Sequence, residues 1–485
     1  MKSPAAEAAR AQSRREFIRS SSTLIALGTA LGLKAQDGPA SFIEGYAGKV
    51  SYAQGEEATL HISTSAPSYT VEVSRIGAKE EIVWKSPKPI AGKEYPIPEL
   101  ASAQGCGWPA ATTVKIPMEW RSGYYKVTLR ADDRGGKFVH RSAVSAIGSC
   151  FFVVRPAVPG AKSNILLQLS TNTYNAYNNW GGTSLYAYNG RGGVQGTRVS
   201  FERPPASQFS RWEQGFVQWA ERNGYEFEYA ANSDLEFHPE ILKAYKLVLS
   251  VGHDEYWSAP MRDHLEAFIG AGGNVAFFSG NTCCWQVRSE AQGQALTCFK
   301  QNYFVDPMFK AREMATLSTA WSHYLLKRPE NSLTGVGFLW GGYRKSHGQF
   351  MTEPAAYKIH RPQHWVFAGT ELTQDAALGA KDSIVGYECD GCELIWDNGL
   401  PRSTGSDGTP KNFEVLATCP ARWEAGDCEW YEKWEKGRVG NSVMGLYTRG
   451  GTVFTTGSTD WAHGLQGNDP AVMRITRNVI DRLSK

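Results

Sequence analysis

Four tyrosines and one tryptophan fall within residues 172–190, which read NTYNAYNNWGGTSLYAYNG. The segment shows neither the 3.6-residue period of a helix nor the alternation of a strand, so we expect a loop. Loops are usually built from turn formers and solvated polar residues. A loop this rich in phenol rings therefore indicates a functional site.

A second segment, residues 251–257, reads VGHDEYW and places His253 two residues before Glu255. Phenolates and carboxylates are hard anionic oxygen donors, which suit a highly charged cation such as Fe(III). Two tyrosinates and one glutamate would balance a 3+ ion, and this neutrality lowers the cost of burying it. The residue types therefore suggest a metal centre that acts as a Lewis acid on a carbonyl and on bound water.

Apolar runs precede both segments and a third one. Residues 164–169, 247–251 and 274–279 have the continuous apolar character of strands buried on both faces of a parallel sheet. Ligands of open α/β sheets collect outside the carboxyl ends of the strands. The tyrosine segment, the HDEYW segment and the turn at residues 280–282 should therefore converge there.

The wider pattern of elements indicates an α/β fold. Helices are expected at about residues 209–223 and after Ser258, and a late strand at 452–456 precedes a helix capped by Asp469. The order predicts a doubly wound domain, flavodoxin-like or class I glutamine amidotransferase-like, over residues 159–485. An inserted subdomain is expected at about 300–445.

The region before this domain alternates apolar and polar residues in short runs. The clearest runs are 58–62, 69–73, 123–129 and 150–154. This spacing predicts a small all-β, immunoglobulin-like sandwich over residues 36–158. The turn-rich sequence RPAVPG at 155–160 is the predicted domain boundary.

The first 35 residues have the features of a twin-arginine signal peptide. Arg14 and Arg15 precede Phe17 and an apolar run at 24–33 that is too short for a stable membrane anchor. We expect a periplasmic or secreted protein with no membrane association after cleavage. Removal of residues 1–35 takes away six basic and two acidic groups and lowers the formal charge from +3 to −1. A near-neutral chain offers no electrostatic footprint for nucleic acid.

Several motifs resemble a known family. They are TYNAYNNWGG (173–182), SLYAYN (184–189), HDEYW (253–257), GGNVAFFSGN (272–281), VGYECDG (385–391) and GSTDWAHGL (457–465). From residue 164 onwards the chain resembles the C-terminal domain of the large (beta) subunit of N,N-dimethylformamidase. The resemblance implies an amidohydrolase that uses mononuclear non-haem Fe(III) to hydrolyse a small amide. It also implies that the chain assembles with a small partner subunit. A homo-oligomer is the alternative assembly.

The resemblance also implies metal ligands. Glu255 would be the carboxylate ligand and Tyr186 one tyrosine ligand. Tyr177 is chosen as the second tyrosine because it directly precedes the Asn-Asn-Trp sequence, while Tyr174 remains an alternative.

Looser matches imply three catalytic residues. His253 would orient substrate or water, Glu388 would be the general base, and Asn281 would donate to the substrate carbonyl. Two departures from the family pattern affect the pocket: Asp254 replaces a proline, and the two tyrosine segments stand closer together. The pocket, and with it the substrate, should therefore differ.

Other functions remain open on the residues alone. A β-sandwich joined to an aromatic-rich domain, with 16 tryptophans in all, would also suit a carbohydrate-binding protein without turnover. No G-x-S-x-G or G-x-C-x-G elbow follows residue 251, which disfavours an acyl-enzyme. The Cys389-x-x-Cys392 pair indicates a local disulfide or free thiols rather than zinc, because no second ligand pair accompanies it.

Overall fold

The computed structural model describes residues 41–132, 145–344, 354–423 and 439–485. The predicted signal peptide, residues 1–35, lies outside these ranges. No helix of the described chain is long and apolar enough to span a membrane.

Residues 43–155 form two sheets that pack face to face. The strands are β1 (Ile43–Ala47), β2 (Ser51–Ala53), β3 (Glu57–Thr64), β4 (Ser68–Ile76), β5 (Glu80–Lys85), β6 (Ile90–Ala91), β7 (Ala110–Lys115), β8 (Gly123–Ala131) and β9 (Ile147–Arg155). One sheet has the order β1-β3-β7, and the other has the order β2-β9-β8-β4-β5 with β6 beside β4. Alternate residues of β3, β4 and β8 fill the core between the sheets. The expected strands at 58–62, 69–73, 123–129 and 150–154 are confirmed.

The later strands belong to one large sheet, one small sheet and a hairpin. They are β10 (Ile165–Leu169), β11 (Arg198–Ser200), β12 (Glu228–Ala231), β13 (Leu247–His253), β14 (Tyr256–Ser258), β15 (Asn274–Gly280), β16 (Trp285–Glu290), β17 (Ala295–Thr297), β18 (Gly337–Tyr343), β19 (Tyr357–Ile359), β20 (Ala377–Leu378), β21 (Glu388–Gly391), β22 (Leu394–Asp397), β23 (Leu400–Ser403), β24 (Glu414–Arg422), β25 (Val439–Arg449) and β26 (Gly451–Thr455). The central sheet has the order β12-β10-β13-β15-β26-β25-β24-β18-β21, with β19 beside β24 and β20 beside β19.

The α-helices of the described chain are mostly short. They are α1 (Ala101–Gln104), α2 (Thr171–Tyr177), α3 (Phe209–Trp212), α4 (Gln214–Arg222), α5 (Asn232–Phe237), α6 (Ala259–Gly270), α7 (Pro307–Ala311), α8 (Asn331–Thr334), α9 (Trp461–Gln466) and α10 (Pro470–Leu483). The expected N-cap of α6 is confirmed, because Ser258 accepts a hydrogen bond from the Met261 backbone. Asp469 likewise caps α10.

The predicted doubly wound α/β fold, flavodoxin-like or class I glutamine amidotransferase-like, is wrong. Strands account for 35% of the described residues and helices for 23%. In the central sheet, parallel pairing joins β12, β10, β13, β15 and β26, and this sheet then continues through antiparallel β25, β24, β18 and β21. The protein is therefore a mostly β structure with mixed and antiparallel sheets.

The inserted segment explains why the prediction failed. Strands β18 to β25 all arise between residues 337 and 449, within or just beyond the expected insertion at about 300–445. Several of them extend the central sheet, and β24 pairs with β25 over nearly its full length. Because strands that are adjacent in space are far apart in sequence here, periodicity alone could not show that they share a sheet.

The tyrosine-rich segment was expected to be a loop, but its first part is helix α2. The polar residues of α2 are buried, and their hydrogen bonds are made to neighbouring elements. Asn172, for example, donates two such bonds. Its backbone N–H donates to Asn232 Oδ1 at 2.8 Å, and its side-chain amide donates to the Tyr256 carbonyl at 3.2 Å. Because several buried positions of α2 are hydrogen-bonded asparagine and threonine, its sequence lacks the apolar stripe by which a helix is usually predicted.

The sandwich packs firmly on the central-sheet region. Arg75 of β4 and Glu221 of α4 form an ion pair at 2.6 Å, with both side chains largely buried. Tyr124 of β8 stacks on Phe209 of α3, with ring centroids 4.1 Å apart. The two regions therefore share a continuous interface.

The eight cysteines in the described ranges are all buried. Cys389 and Cys392, which could have formed a local disulfide, are both free.

One glycine allows a close approach beneath the candidate site. Gly252 of β13 has a φ of +79°, and a Cβ there would lie 2.4 Å from the Cβ of Trp212. We expect Gly252→Ala to lower the free energy of unfolding by about 2 to 5 kcal/mol, because it adds a steric clash to left-handed backbone strain. Urea denaturation measures this change.

Gly224→Ala is the matched control. Gly224 has a φ of +84°, but nothing lies within 4 Å of its Cβ position. It should lose only about 1 kcal/mol, which is the cost of the backbone conformation alone. Equal losses in the two variants would show that the contact with Trp212 is not tight.

Candidate metal and catalytic site

Three oxygen-bearing side chains meet beyond the carboxyl ends of β10 and β13. Tyr177 is the last residue of α2, Tyr186 follows nine residues later, and Glu255 lies between β13 and β14. The Tyr177 hydroxyl donates to Glu255 Oε2 at 2.8 Å. The Tyr186 oxygen lies 2.7 and 2.9 Å from the two carboxylate oxygens and 2.8 Å from the Tyr177 oxygen. The structure thus brings the three expected ligands into one triangle of oxygen atoms.

Tyr174, the alternative to Tyr177, points elsewhere. Its ring is buried and its hydroxyl donates to Glu213. Burial raises the pKa of Glu213 to about 8, although the bond from Tyr174 acts in the opposite direction. Tyr174 therefore belongs to a separate buried pair and not to the oxygen triangle.

The three expected catalytic residues also meet. Nε2 of His253, the last residue of β13, lies 2.8 Å from Glu388 Oε2 and 3.3 Å from Glu255 Oε2. Asn281 Nδ2 donates to Glu388 Oε2 at 3.1 Å. Burial lowers the pKa of His253, but the carboxylates of Glu388 and Glu255 outweigh it and raise the pKa to about 10. His253 is therefore a cation held between two carboxylates in this arrangement.

Two polar atoms of this group have no partner among the described residues. They are Nδ1 of His253 and Oδ1 of Asn281, and both are buried. Unpartnered buried polar atoms are costly in a folded protein and often mark the place of a ligand or water. These two atoms are available to a bound molecule.

Further residues surround the oxygen triangle, and the sequence analysis did not find them. Trp285 of β16 donates its indole N–H to Glu255 Oε1 at 2.8 Å. Tyr256 donates to the Tyr186 oxygen at 2.7 Å, and Lys300 Nζ lies 3.0 Å from the Tyr256 oxygen. Burial lowers the pKa of Lys300 to about 8, with Glu255 opposing the change. The only sequence signal for Lys300 is a lysine directly after the apolar stretch at 295–299.

Asp390 fixes the turn that carries Asn281. Its two carboxylate oxygens accept the backbone N–H groups of Asn281 and Thr282, each at 3.0 Å. Burial raises the pKa of Asp390 to about 7. Asp390 lies two residues after Glu388, so β21 supplies both the candidate base and the support for its neighbour.

Several residues around the site have a strained backbone. Positive φ angles occur at Asn281 (51°), Cys283 (56°), Lys300 (55°) and Tyr387 (27°). Non-glycine residues in this region cost about 1 to 3 kcal/mol each and persist where the surroundings impose them, often at functional sites. The strain at Tyr387 directly precedes Glu388 and helps to aim its carboxylate.

The chain is related to a known protein family. A sequence model of the family described as N,N-dimethylformamidase beta subunit-like, C-terminal, matches residues 70–473. The chain belongs to this family. The match begins within β4 of the sandwich, earlier than the expected start at residue 164.

Two curated members of the N,N-dimethylformamidase family are similar along much of the chain. The beta subunit from Alcaligenes sp is 24% identical over 449 residues, which cover 78% of this chain and 55% of that protein. The beta subunit from Paracoccus aminophilus is 24% identical over 360 residues, covering 65% of this chain and 44% of that protein. This chain therefore spans about half the length of these relatives.

Among solved structures, the sporulation control protein Spo0M from Bacillus subtilis aligns with a TM-score of 0.16 and 14% identity. The alignment covers 26% of this chain and 53% of that one. A similarity this low says nothing about the fold.

Asp254, the departure from the N,N-dimethylformamidase pattern, has a structural role. Its buried carboxylate accepts hydrogen bonds from Gln168 at 2.7 Å, from Ser250 at 2.8 Å and from Asn232 at 3.5 Å. The backbone N–H of Glu255 meanwhile donates to Thr173 Oγ1 of α2 at 2.9 Å. In the HDEYW segment, His253 and Glu255 therefore face the site, while Asp254 between them makes buried structural contacts.

The segment between Tyr177 and Tyr186 is held by hydrogen bonds on two sides. Arg203, fully buried, donates to the carbonyls of Asn178, Trp180 and Ser200 at 2.6 to 2.9 Å. The indole N–H of Trp180 donates to Glu44 of β1 at 3.0 Å, so the sandwich touches this segment.

We expect Asp254→Asn to lower the free energy of unfolding by about 1 to 3 kcal/mol. Whichever way the amide is turned, its NH₂ group faces a donor, either Gln168 and Ser250 or Asn232. Urea denaturation measures the loss.

Asp263→Asn is the control, because its carboxylate is 57% exposed in an ion pair with Arg328. It should change stability by less than about 1 kcal/mol. If the two variants denature at the same urea concentration, the bonds to Asp254 contribute nothing.

Proposed function

We propose that the chain is an amide hydrolase whose site binds one Fe(III) ion through Tyr177, Tyr186 and Glu255. The observation that carries the proposal is the triangle of oxygen atoms, with separations of 2.7 to 2.9 Å. Neighbouring oxygen ligands that lie about 2 Å from an octahedral metal are separated by about 2.8 Å, so the spacing fits. Two phenolates and one carboxylate would also balance the charge of the ion.

The composition of the site supports phenolate ligands. In the described ranges, no group of three or more His, Cys, Asp or Glu side chains is arranged to hold a metal ion. A metal at this position would therefore need the tyrosine oxygens. The rings of Tyr177 and Tyr186 are partly exposed, so ion and substrate can reach them from solvent.

Iron at this site would polarise the substrate carbonyl and lower the pKa of a water molecule. Glu388 then accepts a proton from the attacking water and passes it to the departing nitrogen as the C–N bond breaks, which yields a carboxylic acid and an amine. His253 holds the Glu388 carboxylate in place through the 2.8 Å ion pair. Asn281 Nδ2 lies 3.1 Å from Glu388 Oε2 and 3.3 Å from His253 Nε2. A protonated His253 cannot accept from Asn281, so the second N–H of Asn281 can turn to the substrate carbonyl.

The relatives' names favour a small amide as substrate and a second subunit as partner. Both relatives are called N,N-dimethylformamidase beta subunits, so we extend amide hydrolysis and a partner subunit to this chain as proposals. A homo-oligomer is the alternative assembly, and the mass of the purified protein in solution distinguishes the two.

The alternative of a carbohydrate-binding protein has less support. Stacking on a sugar needs exposed ring faces. Of the four tyrosines in residues 172–190, all within the described chain, only Tyr188 is exposed, whereas Tyr174 is buried. Tyr177 and Tyr186 instead direct their hydroxyl groups to the Glu255 carboxylate in hydrogen bonds.

We also propose export through the twin-arginine pathway. The support is the sequence of residues 1–35, which lie outside the described ranges. The N-terminal sequence of the protein recovered from the periplasm or the medium tests this proposal, and a cytoplasmic protein that keeps these residues would contradict it.

Purified wild-type protein should contain one iron per chain and show a visible tyrosinate charge-transfer band. Tyr177→Phe and Tyr186→Phe should lose most of the iron and the band, because each removes one anionic ligand. Elemental analysis and the absorption spectrum measure both, and circular dichroism verifies the fold.

Tyr174→Phe is a matched control, since Tyr174 lies one helical turn before Tyr177 but bonds Glu213. It should retain iron and colour. Unchanged iron in the Tyr177 and Tyr186 variants, or an equal loss in the Tyr174 variant, would refute the ligand assignment.

Glu388→Gln tests the base. We expect kcat for a small formamide to fall about 10²- to 10⁴-fold, because the amide cannot accept a proton, while the iron content stays the same. Release of formate measures turnover.

Glu414→Gln serves as the comparison, because Glu414 is an exposed carboxylate on β24. It should leave kcat unchanged. Full activity in the Glu388 variant would remove this residue from the mechanism.

A further inference from the structure

An exposed cation lies beside the rings that border the site. The guanidinium carbon of Arg211, in α3, lies 4.3 Å from the ring centroid of Trp212 and 5.0 Å from that of Tyr387. Arg211 is exposed, and no carboxylate of the described chain lies within ion-pair distance of it. Its charge is therefore not compensated by a described acidic side chain.

The same two rings contact the catalytic histidine. The ring centroid of His253 lies 5.6 Å from that of Trp212 and 6.0 Å from that of Tyr387. One layer of aromatic side chains thus separates the Arg211 guanidinium from His253. Arg211 therefore lies on the outer side of these two rings, at the rim of the site.

The charges at the site indicate what a bound molecule would carry. In the proposed site, the oxygen triangle is neutralised by its ion, and His253 pairs with Glu388 at 2.8 Å. Lys300 is buried beside Tyr186, whereas Arg211 is an exposed cation beside the partly exposed ring of Tyr387. A guanidinium that lies over two rings keeps its N–H groups at the edge of its plane, where they can bind a carboxylate with two hydrogen bonds.

We propose that Arg211 binds a carboxylate on the substrate, so that the substrate class is short N-acyl amino acids rather than neutral amides. This inference rests on the proposed amide hydrolysis, and it assigns to Arg211 the selection of substrate. The hydrolysed bond is the amide C–N bond, and the products are a carboxylic acid and a free amino acid.

A pair of substrates tests the inference: N-formylglycine, which carries the carboxylate, and N-formylglycinamide, which is neutral. Formate release gives kcat and KM for each. Wild-type protein should prefer N-formylglycine, and Arg211→Gln should lower kcat/KM for it about 10- to 100-fold, mainly through KM. The values for N-formylglycinamide should not change, and Arg211→Lys should fall between wild type and Arg211→Gln.

Arg222→Gln is the matched control, since Arg222 is an exposed arginine of the adjacent helix α4. It should leave both substrates unaffected. Equal turnover of the two substrates by wild type, or an equal loss for both in Arg211→Gln, would overturn the role of Arg211 while leaving amide hydrolysis intact.

Calorimetric titration separates this inference from the proposed function. N-formylglycine should bind to the Glu388→Gln protein, and the added Arg211→Gln change should weaken that binding about 10-fold or more. If wild type releases no formate but this binding persists, the amide hydrolase proposal fails and the carboxylate site stands. If binding is the same with and without Arg211, the carboxylate site is refuted.

Discussion

The carboxylate of Glu255 is the point on which the site depends. It is 3% exposed, and a buried charge is costly unless positive and polar groups surround it. His253, Trp285 and the two tyrosine hydroxyls all direct hydrogen atoms towards it. These groups come from four separate stretches of chain. The hydrogen bonds that one buried carboxylate requires therefore fix the positions of the side chains around it. The pKa of Glu255 accordingly stays below its usual value: burial would raise it, but the bond from His253 outweighs that effect.

The sequence carried enough information to find the segments that meet at the site. Strands buried on both faces appear as continuous apolar runs, and β10, β13 and β15 were found in this way. The residues just after them, such as Glu255 and Asn281, could then be placed at one edge of a sheet. The ligand and catalytic roles came from the resemblance to the N,N-dimethylformamidase family, not from the spacing. Family membership is now shown, whereas the iron and the individual roles remain proposals.

Other features were invisible to the sequence for definable reasons. The antiparallel half of the central sheet joins β18, β21 and β24, whose pairing depends on contacts between residues tens of positions apart. Helix α2 was missed because its buried face is made of asparagine and threonine, which have low helix propensity. Trp285 and Asp390 reach the site only through tertiary packing, and neither stands in a spacing that marks a ligand or a support.

The contact between the sandwich and the central-sheet region has a consequence for folding. Glu44 accepts a hydrogen bond from Trp180, which lies between Tyr177 and Tyr186 in the chain. The Arg75–Glu221 ion pair and the Tyr124–Phe209 stack join the same two regions elsewhere. The buried partners of these pairs would each be left without compensation if the two regions separated. The sandwich and the catalytic region should therefore melt together as one cooperative unit. The N-terminal β structure then forms the wall against which the segment with Tyr177 and Tyr186 packs.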